Sequence, residues 1–199
     1  AGLCLSFFLF LLSRKELKQV EESRLRVDQE KRIAVNFMHN MALAMSREPS
    51  RKDLLSRINH AVITGTGALC CCIFEKVEGD RLKGVAVEGL FPPQRPLSQK
   101  ALEQALTRSQ MLEQILRSEE IQMGEGIIGE VAQTRKGVLI PVAENDPRIV
   151  QHKDPSLAVR SMIVTPLLFD DRLLGVLAVA NPDDDRSFST MDEALVISM

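Results

Sequence analysis

The 199-residue chain contains no Trp and no Tyr, and all eight of its aromatic side chains are Phe. The stacking platforms that single-strand binders use are therefore scarce. Neither sign of charge is in excess: 25 Lys and Arg against 27 Asp and Glu leave a net charge of −2. With no basic footprint to hold polyphosphate, nucleic acid is not an expected partner. The three histidines, His39, His60 and His152, are scattered, and no CxxC pair exists, so no zinc pattern and no metal ligand is assigned. Nucleophile motifs are missing too: there is no GxSxG, no HExxH, and no Ser or Cys paired locally with a His. No catalytic residue and no cofactor follows from the sequence.

What is present is globular composition, 45% hydrophobic and 26% charged, enough for one core of ordinary size plus an appendage. Of the four cysteines, Cys70, Cys71 and Cys72 are consecutive. That spacing suits a packed strand in a reducing compartment better than a disulfide framework. In a strand Cys70 and Cys72 share one face and Cys71 takes the other, as small apolar packing residues.

The N-terminal part differs in character. Leu3 to Leu12 is almost wholly apolar, but even a dozen helical residues cover only about 18 Å, against roughly 30 Å of hydrocarbon. Residues 1–13 are expected to be the C-terminal part of a transmembrane helix, in an excerpt from a longer protein. Arg14-Lys15 directly after them would mark the cytoplasmic side of an inner membrane. The alternative, a cleaved signal peptide, lacks a small-residue cleavage site.

Residues 14–48 are expected to form a long signalling helix. They contain no Gly or Pro before Pro49, and charges of both signs interleave. One heptad column reads Val20, Val27, Ala34, Met41; its companion reads Leu17, Arg24, Lys31, Met38, Met45. That is a coiled coil with a polar middle, so Val20, Val27, Ala34, Met38, Met41 and Met45 are the candidate dimer contacts. The bland alternative is one solvated helix.

The remainder, 50–199, reads as an α+β domain. Ser50 with Asp53 starts a helix stopped by Gly65 and Gly67. Ala68–Val77 and Leu82–Val87 form a hairpin about Glu78-Gly79-Asp80. After Pro92, Pro93 and Pro96, Ser98 is expected to cap a helix reaching about Arg117. Gly124 to Gly129 fits GxGxxG, but without a long strand before it or a parallel βαβ unit after it, it reads as a tight turn into a short helix. Val138 to Val142 is an edge or terminal strand because of Pro141. Met162–Phe169 and Leu173–Ala180 make a second hairpin about Asp170-Asp171, and Ser189 with Asp192 caps a last helix. The acidic run Asp183 to Asp185 reads as a solvated turn. Asp146 and Arg148 either face a small polar ligand or pair with each other.

This order of pieces resembles a GAF domain. The specific stretches are GEGIIGEVAQTRKGVLIPVAENDPRI, then Arg160-Ser161 through Pro166-Leu167, Gly175-Val176-Leu177, Asn181, and Phe188 followed by Asp192-Glu193. The resemblance implies a central antiparallel sheet with helices on both sides, and a pocket between sheet and insertion. Carried over residue by residue, the ligand-binding candidates are Phe74, Gly126, Ile127, Asp146, Arg148, Ser161, Ile163 and Thr165. Pro182 stands where the cyclic-nucleotide-binding members of the family have Lys, so a cyclic nucleotide is not implied. No Cys lies between Cys72 and Met199 to attach a bilin. The resemblance implies a homodimeric, small-molecule sensor that regulates a histidine kinase, cyclase or serine/threonine phosphatase. A purely structural relay and a thiol-based methionine sulfoxide reductase are the alternatives.

Overall fold

The computed structural model describes residues 50–96, 107–184 and 186–199. The expected membrane segment and coiled-coil helix, with all six dimer candidates, lie outside the described residues. Among the described residues no helix is long and apolar enough to cross a membrane.

Helix α1 (Arg51–Thr66) starts at Ser50, whose Oγ accepts the Asp53 backbone N–H at 3.2 Å. It ends at Gly67, which is left-handed at φ 65°. Gly65 stays inside the helix, so of the two expected stops only Gly67 acts, by supplying the positive φ that closes a C-terminus. Strands β1 (Ala68–Val77) and β2 (Arg81–Glu88) pair antiparallel as expected.

The single helix expected from Ser98 to about Arg117 does not run through Thr107: α2 spans Arg108–Ser118. Thr107 is extended (φ −141°, ψ 149°), and its side chain accepts the Gln110 N–H. A Thr can cap a new helix as readily as sit within one, and here it caps. The expected first half, 97–106, lies outside the described residues.

Strand β3 (Glu120–Gln122) leads to α3 (Gly126–Thr134), followed by β4 (Val138–Ile140) and a short 3₁₀ turn at Pro155–Leu157. Strands β5 (Met162–Phe169) and β6 (Arg172–Pro182) form the long hairpin, and α4 (Thr190–Ser198) closes the domain. At Ser189 the capping box is complete: the side chains of Ser189 and Asp192 each accept the other's backbone N–H.

The six strands form one antiparallel sheet in the order β3-β2-β1-β6-β5-β4. Short β3 and β4 sit at its edges, which limits the unpaired backbone it offers. Alternation along the strands divides the core in two. Cys70, Cys72, Phe74, Met162, Val164, Val176 and Ala178 face the side covered by α3 and the last turn of α2. Cys71, Ile73, Ile163, Leu177 and Val179 face α1 and α4, whose Val62 and Val196 pack there. Helices thus cover both sides, as the sequence resemblance implied.

Candidate functional site

On the α3 side, hereafter the insert face, β1 presents Phe74, fully buried. Its ring meets that of Phe91 edge-on, with centroids 6.0 Å apart and planes at 65°. Phe91 comes from the Pro-rich segment after β2. The Pro93 carbonyl lies 2.9 Å from His152 Nε2, and the Gln94 N–H donates to Glu119 Oε2 at 3.0 Å. Burial raises the Glu119 carboxyl above its ordinary range, against the Gln94 and Arg95 backbone bonds that lower it.

The GxGxxG stretch shapes the neighbouring wall. Gly124 and Gly126 have φ of 87° and 59°, and a Cβ on Gly129 would stand 2.2 Å from the Gln122 carbonyl oxygen. These glycines permit a tight turn and close helix packing. The N–H of Ile127, in the first turn of α3, is taken by the Arg148 carbonyl at 3.2 Å.

Arg148 is the polar hub of this face. Its Nε and Nη2 donate to Asp146 at 2.9 and 2.6 Å, and its Nη1 donates to both Glu130 oxygens at 3.0 and 3.2 Å. The Arg148 hydrogen bonds hold the Asp146 carboxyl below the usual carboxylate range despite its partial burial. The Arg148 guanidinium is correspondingly harder to deprotonate, chiefly through its bond to Asp146. The internal pairing weighed from sequence therefore exists. Its guanidinium is shared between two carboxylates, so an anionic ligand would have to compete with both.

The eight ligand-binding candidates do not form one set. Gly126, Ile127, Asp146 and Arg148 come together at the start of α3, and Ile127 shares its core with Phe74. Ser161, Ile163 and Thr165 do not join them. Ile163 pairs with Val179 and Thr165 with Leu177, both on the face of α1 and α4. The eight are thus divided between two faces of the sheet: residues of odd number on β5 point away from the insertion, because register sets Met162 and Val164 toward it.

Ser161 has a different task. Its hydroxyl donates to the Ile140 carbonyl at 3.0 Å and accepts the Phe188 N–H at 2.9 Å, fully buried. Beside it, Asn181 accepts the Arg160 N–H at 2.7 Å and donates to the Ala158 carbonyl at 2.8 Å. Arg186 pairs with Asp192 through two nitrogens, at 2.7 and 3.1 Å, and also donates to the Thr66 carbonyl at 2.8 Å. Residues 181–184 and 186–189 thus join the loop before β5, the end of α1 and the start of α4.

Sequence reasoning missed Phe91, Glu130 and Arg186. Phe91 precedes two prolines and belongs to no periodic pattern, whereas Glu130, four residues after Gly126 on a helix, was within reach of inspection for a partner to Arg148.

The three described cysteines are free and buried, and burial pushes the Cys70 thiol up to about 12 and raises Cys71 and Cys72 as well. A thiol held protonated and away from solvent is a packing group, not a poised nucleophile. Among the described residues no group of three or more His, Cys, Asp or Glu side chains could hold a metal ion.

Comparison with known proteins now adds to this geometry. The family model described as GAF domain matches residues 50–199. No curated protein matches the chain. Among solved structures, the GAF domain of a phosphoenolpyruvate-protein phosphotransferase from Coxiella burnetii has a TM-score of 0.61 and 15% identity, over 83% of this chain and 88% of that chain. The corresponding domain from Acinetobacter gives 0.58 and 18%, over 83% and 86%. The free methionine-R-sulfoxide reductase from Neisseria meningitidis, solved with its substrate, gives 0.53 and 16%, over 85% and 84%. At such identities the likeness is one of fold.

Proposed function

The chain belongs to the GAF domain family, and from that premise we propose that residues 50–199 are a non-catalytic sensory module in which events on the insert face are passed to α1 and α4. The observation that carries the proposal is the set of hydrogen bonds made by residues 181–184 and 186–189. These residues hold the carbonyls of Thr66 and Gly67 at the end of α1, through Arg186 and the Asp183 N–H. They also carry the cap of α4 and meet Ser161, which reaches β4 on the other side. A small molecule that moved β4 or the 143–160 loop would move both helices through these bonds.

The proposal keeps the sequence-based expectations around this module. Residues 1–13 tether it to the inner membrane with the domain on the cytoplasmic side, residues 14–48 pair two copies, and the output is an enzyme such as a kinase, cyclase or phosphatase. A second reading, a structural relay without ligand, is favoured by one observation: Phe74, Phe91 and Ile127 are fully buried and fill the middle of the insert face themselves.

Native mass spectrometry of the full chain, compared with its denatured mass, separates these readings. A dimer carrying extra mass that is lost on denaturation is the expected result. An apo dimer would replace the sensor by the relay, and a monomer would remove the pairing of residues 14–48.

A further inference from the structure

Helix α1 is fastened unequally along its length. At its C-terminal end the Gly67 N–H closes on the Ile63 carbonyl at 2.8 Å, the Asp183 N–H holds the Gly67 carbonyl at 2.8 Å, and Arg186 holds the Thr66 carbonyl while paired with Asp192. Away from that end the polar side-chain links are exposed: Arg51 at the N-terminus pairs with Glu75, and past mid-helix His60 Nδ1 lies 3.1 Å from Glu88, with the Arg51 and His60 side chains mostly in solvent. Exposed pairs of this kind hold an element only weakly. The seating there is otherwise apolar, through Leu55 and Ile58.

Between these ends sits Asn59, 1% exposed and turned toward the sheet. Its Oδ1 accepts the Cys71 thiol at 3.2 Å. Its Nδ2 is buried and finds no acceptor among the described residues. Turning the amide over would only move the problem, since Nδ2 would then face the sulfur and Oδ1 would lose its donor. A buried donor that has lost water without gaining a partner weakens the seated state relative to any state that hydrates it.

We propose that α1 is a lever that pivots on its clamped C-terminal end, Thr66–Gly67, and that the unpartnered Asn59 amide keeps the middle of the lever loosely seated on the sheet. An apolar residue in place of Asn59 would fit the surroundings set by Val62, Cys71 and Ile73 and leave nothing to hydrate. The swinging end is the one that receives the chain from residue 49. The inference rests on the sensory reading above for its purpose, but its test involves no ligand and no partner, so either can fail without the other.

Hydrogen exchange by NMR or mass spectrometry on the full chain is the test. In the wild type, amides of residues 55–60 exchange faster than those of 63–67, the reverse of ordinary fraying at a helix C-terminus. Asn59→Leu slows exchange of residues 55–62 between about fivefold and about a hundredfold, with β5 and β6 unchanged. Equal exchange at both ends of wild-type α1 would overturn the pivot without any variant. If Asn59→Leu folds and exchange of α1 is unchanged or faster, the role of the amide is overturned. As a second variant, Arg186→Gln speeds exchange of residues 63–67 at least fivefold more than of 55–58; a uniform change along α1 would also overturn the pivot.

Discussion

The insert face of the sheet and the face under α1 and α4 are made by alternate residues of the same strands, so Cys72 belongs to one and Cys71 to the other. Their chemistry differs. Beneath α3 the buried wall is Phe74, Phe91, Ile127, Val131 and Val164, all apolar, and the polar groups stand at its rim as Arg148 with Asp146 and Glu130. Under α1 and α4 polar side chains enter the interior itself: Asn59, Thr66, Ser161, Thr165 and Asp192 are all buried. The first face is fixed by shape and tolerates exchange of one apolar occupant for another. The second is fixed by directional bonds, which have discrete alternatives, and that suits the side to which the proposed sensory role assigns motion.

The strongest attack on this contrast is Phe74→Ala. Removing a fully buried ring from its edge-on partner costs about 3–5 kcal/mol, seen as a lowered midpoint in urea unfolding. A loss under 1 kcal/mol would mean that the insert face is loosely filled, and would favour an open ligand cavity there. Ser161→Ala attacks the other face. It deprives the Phe188 N–H and the Ile140 carbonyl of their partner and costs about 2 kcal/mol by the same assay. Because the lost bonds join β4 to the approach of α4, exchange at Phe188 and along α4 rises more than at β1. A uniform rise would mean that Ser161 supports the core at large and carries no specific link.

These two residues also mark where the sequence stops being informative. Local rules place Phe74 in a strand and put Cys72 on the same side; the bounds Ala68–Val77 and Met162–Phe169 follow from apolar runs closed by turn residues. The caps at Ser50 and Ser189 are equally local. Whether Phe74 and Ile163 share a face depends on the register of β1, β6 and β5 together, a long-range quantity that no spacing within one strand contains. For that reason the candidates divided between two faces. The unexpected helix start at Thr107 has the opposite origin: nothing apolar or helix-breaking distinguishes Thr107, and its choice to cap is made by what Met111 and Leu112 pack against, among them Leu157. Family resemblance supplied the architecture, while the roles of Arg186 and Glu130 needed the folded positions of Thr66 and Arg148.

Each face has an aspartate held by two nitrogens of one Arg, Asp146 by Arg148 and Asp192 by Arg186, and titration separates their contributions. Burial pushes the Asp192 carboxyl up, but the Arg186 and Ser189 hydrogen bonds outweigh it and hold the group below its ordinary value of 3.8. A depressed carboxylate contributes stability that is complete above the unfolded value and is lost as pH falls through the folded one. Asp192→Asn therefore lowers stability by about 1 kcal/mol at pH 7, through the weakened cap, and flattens the acid limb below pH 3.8. Asp146→Asn leaves the Asp192 part of that limb in place. If both variants erase the same limb, the two faces are not electrostatically independent and the contrast between them is overstated.

The smallest effect serves as the control, because it lies at the end of the sheet and belongs to neither face. Asp170 and Asp171 form the β5–β6 turn with φ of 47° and 61°, the two-residue geometry that favours Gly at its second position. Asp171→Gly relieves the left-handed backbone at Asp171, whose carbonyl still accepts Arg135 Nη1 at 2.9 Å. The gain is roughly 0.5 kcal/mol, a small rise in the unfolding midpoint, set against the greater flexibility of glycine in the unfolded chain. It leaves the exchange pattern of α1 and α4 unchanged, because the hairpin turn touches none of residues 181–184, residues 186–189 and Asn59. Should this distant relief alter α1 exchange as much as Asn59→Leu does, exchange in α1 would be reporting global stability, and the helix could not be treated as a separately movable part.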